Sequence, residues 1–170
     1  MSIESLRLSL QHIAASYQEK LATIPDHEFQ KTPRIGGWSY SEVYSHIWDA
    51  SLLSLQAMEN TWTGKGQFES TAFLVKAILF YGAFPPAKKY KVPKRMESRV
   101  KVISKQEAAA FISQFLKKLE KDIPDIYAAD PALKTAHPRL GYLNAKQWLR
   151  FIEIHLKHHL KQIKRIEKTF

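Results

Sequence analysis

His155-Leu-Lys-His158-His159-Leu-Lys-Gln162-Ile163 decides how this chain reads. It fixes a helix and also what that helix buries. At 3.6 residues per turn, Trp148, Ile152, His159, Ile163 and Ile166 share one sector with His155. Arg150, Glu153, Lys157, Lys161, Lys164 and Lys168 fall on the other side, which reads as a solvated face. Two imidazoles four residues apart therefore point into whatever this helix packs against. A polar ring placed there needs a partner, and a metal ion is one such partner.

Working outward, the same three- and four-residue periodicity recurs along the chain. Leu6, Leu10, Ile13, Tyr17 and Leu21 predict a first helix from about Ser2 to Ile24. Gly36-Gly37-Trp38 leads into Ser39-Tyr-Ser-Glu42, a capping-box pattern that opens a second helix running to about Thr61. A shorter third helix is expected from about Phe68 to Tyr81, ahead of Gly82 and Pro85-Pro86. Ser104 with Glu107 opens the fourth, carried by Phe111, Phe115 and Leu119 towards Pro124 or a little beyond. Asn144 with Gln147 opens the last. Five helices with no convincing strand predict an all-α, up-and-down four-helix bundle with one additional shorter helix, a single domain over 1–170. Tyr90–Val92 and Val100–Ile103 are the β-prone stretches.

Composition narrows the chemistry. The chain has no cysteine, which removes disulfides, thiolate metal sites and a cysteine nucleophile. The N-terminal residues do not read as a signal peptide. The apolar run from Ala72 to Phe84 is broken by Lys76 and is too short to span a bilayer, so a cytoplasmic protein without membrane contact is the expectation. The net charge of +10 is localised. Between Pro85 and Lys105 eight basic residues face one acidic residue, Glu97, and the last helix carries seven basic residues against two acidic. The basic segment has charge for phosphate contacts but no reading motif, and Tyr90 is thin aromatic content for stacking on single strands. A carboxylate- or phosphate-bearing small molecule accounts for the same lysines with fewer assumptions, making Lys88, Lys89 and Lys91 candidate contacts to an anionic ligand.

A His-x-x-x-His pair gains weight from a third ligand on another helix. In the second helix, Val43, Ala50, Leu53 and Ala57 lie in the sector of His46, so this imidazole too faces a buried stripe. Three nitrogens from two helices form the open layout of a catalytic site, natural for zinc and acceptable to nickel, iron or cobalt. The alternative is three core histidines bonded to backbone or tyrosine. Asp49, one turn after His46, is placed to hold a ligand's second nitrogen. His158, Asp49 and Tyr40 are candidate proton-transfer groups, while His12 and His27 read as surface or loop residues.

Gly37-Trp38-Ser39-Tyr-Ser-Glu-Val-Tyr-Ser-His46 resembles the start of the second helix in the DinB/YfiT-like metalloenzymes. His137-Pro138-Arg-Leu-Gly141-Tyr-Leu, Gln147-Trp148-Leu and His155-x-x-His158-His159-x-x-Gln162-Ile163 resemble that family's C-terminal signature. The resemblance spans essentially the whole chain. It implies a four-helix bundle with one extra helix and an octahedral or five-coordinate divalent metal on His46, His155 and His159. It also implies chemistry of the kind found in relatives that use a low-molecular-weight thiol: thiol transferases and a mycothiol-dependent isomerase. Activation of water, giving a hydrolase, is equally compatible. A metal-binding module without turnover, and a nucleic-acid binder using 85–105, are the competing classes. A homodimer is a further expectation left open.

Overall fold

The computed structural model describes residues 1–85 and 98–170. Its elements in chain order are α1 (Ile3–Thr23), α2 (Asp26–Phe29), α3 (Tyr40–Glu59), β1 (Gln67–Phe68), α4 (Phe73–Tyr81), α5 (Lys105–Ala128), β2 (Leu133–His137), β3 (Gly141–Leu143) and α6 (Ala145–Glu167). The three helix starts anticipated at Ser39/Glu42, Ser104/Glu107 and Asn144/Gln147 are all made as capping boxes. In each, the cap side chain accepts a backbone N–H that the first turn would otherwise leave unpaired, while the third residue reaches back to the cap's own N–H.

The four long helices α1, α3, α5 and α6 form the bundle. Each packs against two others, in the ring order α1, α5, α3, α6. Side-chain pairs give the directions. Ser9 meets Glu153 and Lys20 meets Glu167, so α1 and α6 run parallel. Ser41 binds Ile103 just before α5, and Glu59 meets Lys118 within it, so α3 and α5 also run parallel. The chain thus goes up, down, down and up. The long stretch between α3 and α5 allows this, because it returns to the starting end of the bundle before α5 begins.

The core is aromatic at its centre. Trp48 lies edge-on to Tyr17 and to Phe115, each at 5.2 Å between centroids. Tyr44 Oη donates to the Tyr17 carbonyl, and Tyr17 Oη donates to the Leu156 carbonyl, both at 2.8 Å. These bonds join α3, α1 and α6 and satisfy hydroxyls that burial would otherwise strand.

Three features bear on the sequence reading. First, β1, β2 and β3 form a small antiparallel sheet where no convincing strand was expected. Its strands are too short for a clear period-two signal. Context holds them: Thr135 Oγ1 donates to the Ala57 carbonyl and accepts from Trp148 Nε1, pinning the hairpin to α3 and α6. Residues 67–68 are consumed by this sheet, so the short helix expected from about Phe68, α4, starts only at Phe73. Second, Val100–Ile103 joins no sheet. Ile103 N–H donates to Ser41 Oγ, which donates back to the Ile103 carbonyl, and Lys101 N–H donates to Ser45 Oγ. Tyr90–Val92, Lys88, Lys89 and Lys91 lie outside the described residues.

Third, the solvated face expected on α6 holds at Lys157, Lys161, Lys164 and Lys168, which are exposed, but is interrupted by a buried Glu153. Glu153 is 0% exposed and accepts from Ser9, Lys157 and Arg150. Because α6 packs on α1 as well as α3, its polar face meets another helix near its middle and must carry paired charge there. Burial alone would raise the Glu153 carboxyl; Lys157, Ser9 and Arg150 outweigh it and hold the group below the usual carboxylate range. Arg150 also donates to the Leu79 carbonyl near the end of α4. That helix ends on Gly82 at φ +71°, and a side chain at this position would collide with the Arg150 guanidinium.

Candidate metal centre

The antiparallel packing of α3 on α6 brings His46 opposite His155 and His159. Each of the three offers a ring nitrogen, and these atoms all lie within 4.8 Å of one another. Ring centroids are 5.5 Å apart for His46 and His155, 5.0 Å for His46 and His159, and 4.8 Å for His155 and His159. Among the described residues this is the one group of three or more such side chains so arranged.

Hydrogen bonding fixes which nitrogen His159 presents. His159 Nδ1 lies 2.8 Å from Gln162 Oε1, an acceptor, so the proton sits on Nδ1 and the Nε2 lone pair is free. That Nε2 lies 3.1 Å from His155 Nε2. Two nitrogens bound about 2.1 Å from one ion at right angles to each other would stand about 3.0 Å apart, so this spacing suits adjacent ligand positions.

Burial supplies the matching electrostatics. Removal from water pulls the His46 imidazolium down to about 4 and that of His159 to about 3, with neighbouring imidazoles adding to the effect at His159. His155 is pushed well below its ordinary value by burial and then by His159 and His46. All three rings are therefore neutral near pH 7, the form that donates a lone pair to a metal. The donor set, the 3.1 Å spacing of His155 and His159 and the neutral state of the rings fit a divalent cation.

Aromatic rings wall the cluster. Phe151 stacks on His155 at 5.4 Å and 22° between planes, and Trp38 lies 5.0 Å from His46. Phe84 approaches both His155 and His158, at 6.3 and 5.6 Å. Phe151 was discoverable from sequence, since it precedes His155 by four residues in an apolar sector. Phe84 was not, because it follows α4 in an irregular stretch with no periodicity to place it.

The other sequence candidates are distributed differently. His158 is exposed at the edge of the cluster, its ring 5.3 Å from His159. Asp49 receives two hydrogen bonds from Arg99, at 2.8 and 2.7 Å, so its carboxylate is engaged by a guanidinium. The anticipated second-nitrogen partner is supplied, for His159, by Gln162. Tyr40 is buried two turns before His46, stacked on Phe170 at 5.8 Å, and burial pushes its hydroxyl up to about 12. That position belongs to the end of the bundle. His12 and His27 are exposed, as expected. His137 is an addition: its Nδ1 accepts the backbone N–H groups of Arg139 and Leu140, and its ring packs 4.5 Å from Phe151.

The model of the DinB superfamily matches residues 9–163. The chain belongs to the DinB superfamily. No curated sequence matches it. Solved structures share this fold at low identity. TT2238, described as a four-helix bundle protein, matches with a TM-score of 0.64 at 16% identity, over 96% of this chain and 99% of that one. YfiT from Bacillus subtilis, described as a probable metal-dependent hydrolase with an unusual four-helix bundle topology, matches with a TM-score of 0.67 at 13% identity, over 99% and 89%. A mycothiol-dependent maleylpyruvate isomerase matches with a TM-score of 0.65 at 12% identity, over 94% of this chain and 60% of that one. At such identities the likeness concerns the fold. No helix among the described residues of this DinB-superfamily chain is long and apolar enough to cross a membrane.

Proposed function

We propose that this protein is a divalent-metal-dependent enzyme acting on a small molecule, with His46, His155 and His159 as the metal ligands. The observation carrying this reading is the 3.1 Å approach of two Nε2 atoms, one with its lone pair freed by Gln162, beside a third buried imidazole. A bound zinc, nickel, iron or cobalt ion would supply Lewis acidity, lowering the pKa of a water or thiol that reaches it.

The chain's own residues do the rest. Three neutral ligands leave the ion's positive charge uncompensated and leave room for further ligands. Gln162 fixes the orientation and tautomer of His159. Phe84, Phe151 and Trp38 keep the histidine side of the site dry, which strengthens electrostatic interactions within it. His158, exposed beside His159, is positioned to exchange protons between the site and solvent. The chain cannot provide a thiolate, so thiol chemistry here requires a low-molecular-weight thiol from solution. The likeness to YfiT, a probable metal-dependent hydrolase, and to the mycothiol-dependent isomerase supports hydrolysis and thiol-dependent chemistry respectively.

Lys88, Lys89 and Lys91 are kept as proposed contacts to an anionic substrate. What supports them is their neighbours in sequence: Phe84 approaches His155 and, at the edge of the cluster, His158, and Arg99 binds Asp49 one turn beyond His46.

Cobalt(II)-substituted protein tests the reading. Its visible spectrum should change when a low-molecular-weight thiol is added, and the change should vanish in His155→Ala. An unchanged spectrum, with metal-dependent ester or amide hydrolysis present, would favour water activation. Bound metal with neither response would identify a binding module without turnover.

A further inference from the structure

Helix α4 is apolar around its circumference except at Lys76, yet it packs on the bundle with one side only. At 100° per residue, Val75, Ile78 and Leu79 form the inner side, against α6. Phe80, Phe73, Ala77, Tyr81 and Leu74 fill an outward sector about 120° wide. Phe73 is 86% exposed, Phe80 81%, Tyr81 79% and Leu74 59%. Met1, 58% exposed, lines the same shallow depression as Leu79 and Phe80. A helix that is hydrophobic all round is ordinarily buried all round. The four bulky side chains expose on the order of 600 Å² together, at the upper limit of patches carried by soluble monomers.

We infer that this face is the contact between two copies of the chain, paired about a two-fold axis at Ala77. Three observations select a second copy as the occupant. The area is adequate: a symmetric pair burying the stripe removes about 1,200 Å² in total, where specific interfaces begin. The stripe is self-complementary, because Ala77 is the middle residue of the nine in α4, with Phe73 on one side and Phe80 and Tyr81 on the other. Antiparallel pairing brings the two backbones close at the small residue and sets Phe73 of each copy against the Phe80–Tyr81 end of its neighbour, as an isologous interface requires. The charge also permits it: the outward sector contains no ionisable side chain but the tyrosine, and Lys76 lies at its edge, where it stays in water. The segment 86–97 is a poorer cover by composition, since five of its twelve residues are lysine or arginine.

Light scattering on the intact, metal-bearing protein at micromolar concentrations should give twice the chain mass. Phe73→Glu/Phe80→Glu should weaken association by about thirtyfold or more, as expected for central aromatic anchors, while leaving metal content and helicity unchanged. The absence of cysteine provides an independent test that does not destabilise the helix. Ala77→Cys should form a covalent dimer on mild oxidation, and Gln18→Cys, exposed on α1, should not. A wild-type protein that is monomeric throughout this range overturns the inference and leaves the face to another occupant. So does a dimer that survives the double charge substitution, or one in which Cys at position 77 does not cross-link. If the double variant misfolds, the cysteine pair decides. None of these outcomes bears on the metal site.

Discussion

His159 Nδ1 lies 2.8 Å from Gln162 Oε1, one helical turn further along α6, so the nitrogen His159 turns towards His155 is the one with a free lone pair. An amide side chain thus decides the chemical form of a ring it never shares with a metal. Gln162→Ala should lower metal affinity by about 10- to 100-fold with little loss of helicity, because the ring gains a second tautomer and rotational freedom. Competition titration with a chromophoric chelator measures this. Unchanged affinity would mean that packing against His46, His155 and His158 holds the ring by itself.

Glu153 carries the second prediction. Ser9, Arg150 and Lys157 all converge on this fully buried carboxylate. Glu153→Ala leaves a largely buried guanidinium without its counter-charge and should cost about 3–5 kcal/mol in urea unfolding. A loss below 1 kcal/mol would show that water reaches Arg150 and that the network contributes little.

That network also shows what was legible in the sequence and what was not. Helix periodicity and capping boxes placed the four long helices well, since amphipathic stripes and caps are local signals. His46, His155 and His159 were legible for the same reason: a polar residue in an apolar stripe is visible in one dimension. Glu153 was not, because its burial depends on α6 touching a second helix, α1. The short sheet depends on Thr135 bonding across to Ala57 and Trp148, and the course of the chain depends on a long connection with no periodicity. Gln162 stands in the same stretch as the histidines, but its bond to His159 depends on side-chain rotamers that a one-dimensional pattern does not carry.

Alkaline pH supplies a third prediction. Burial raises the Tyr17 hydroxyl well above its ordinary value and does the same to Tyr44. A folded-state pKa above the unfolded one means that stability is complete below the unfolded value, near 10, and is lost as pH rises beyond it. Tyr17 and Tyr44 should therefore stay protonated until the bundle opens. Tyrosinate absorbance should show a late, cooperative step coinciding with loss of helical circular dichroism. Smooth ionisation of every tyrosine before any helix is lost would contradict the burial of this pair.

The central claim is that three histidines from two helices hold one metal ion, and elemental analysis of protein purified without a histidine tag tests it most directly. The account predicts about one divalent ion per chain, lost on substitution of His46, His155 or His159 by alanine while the helical spectrum remains. Folded wild-type protein that retains no zinc, nickel, iron or cobalt, and takes up none when each is supplied, would contradict it.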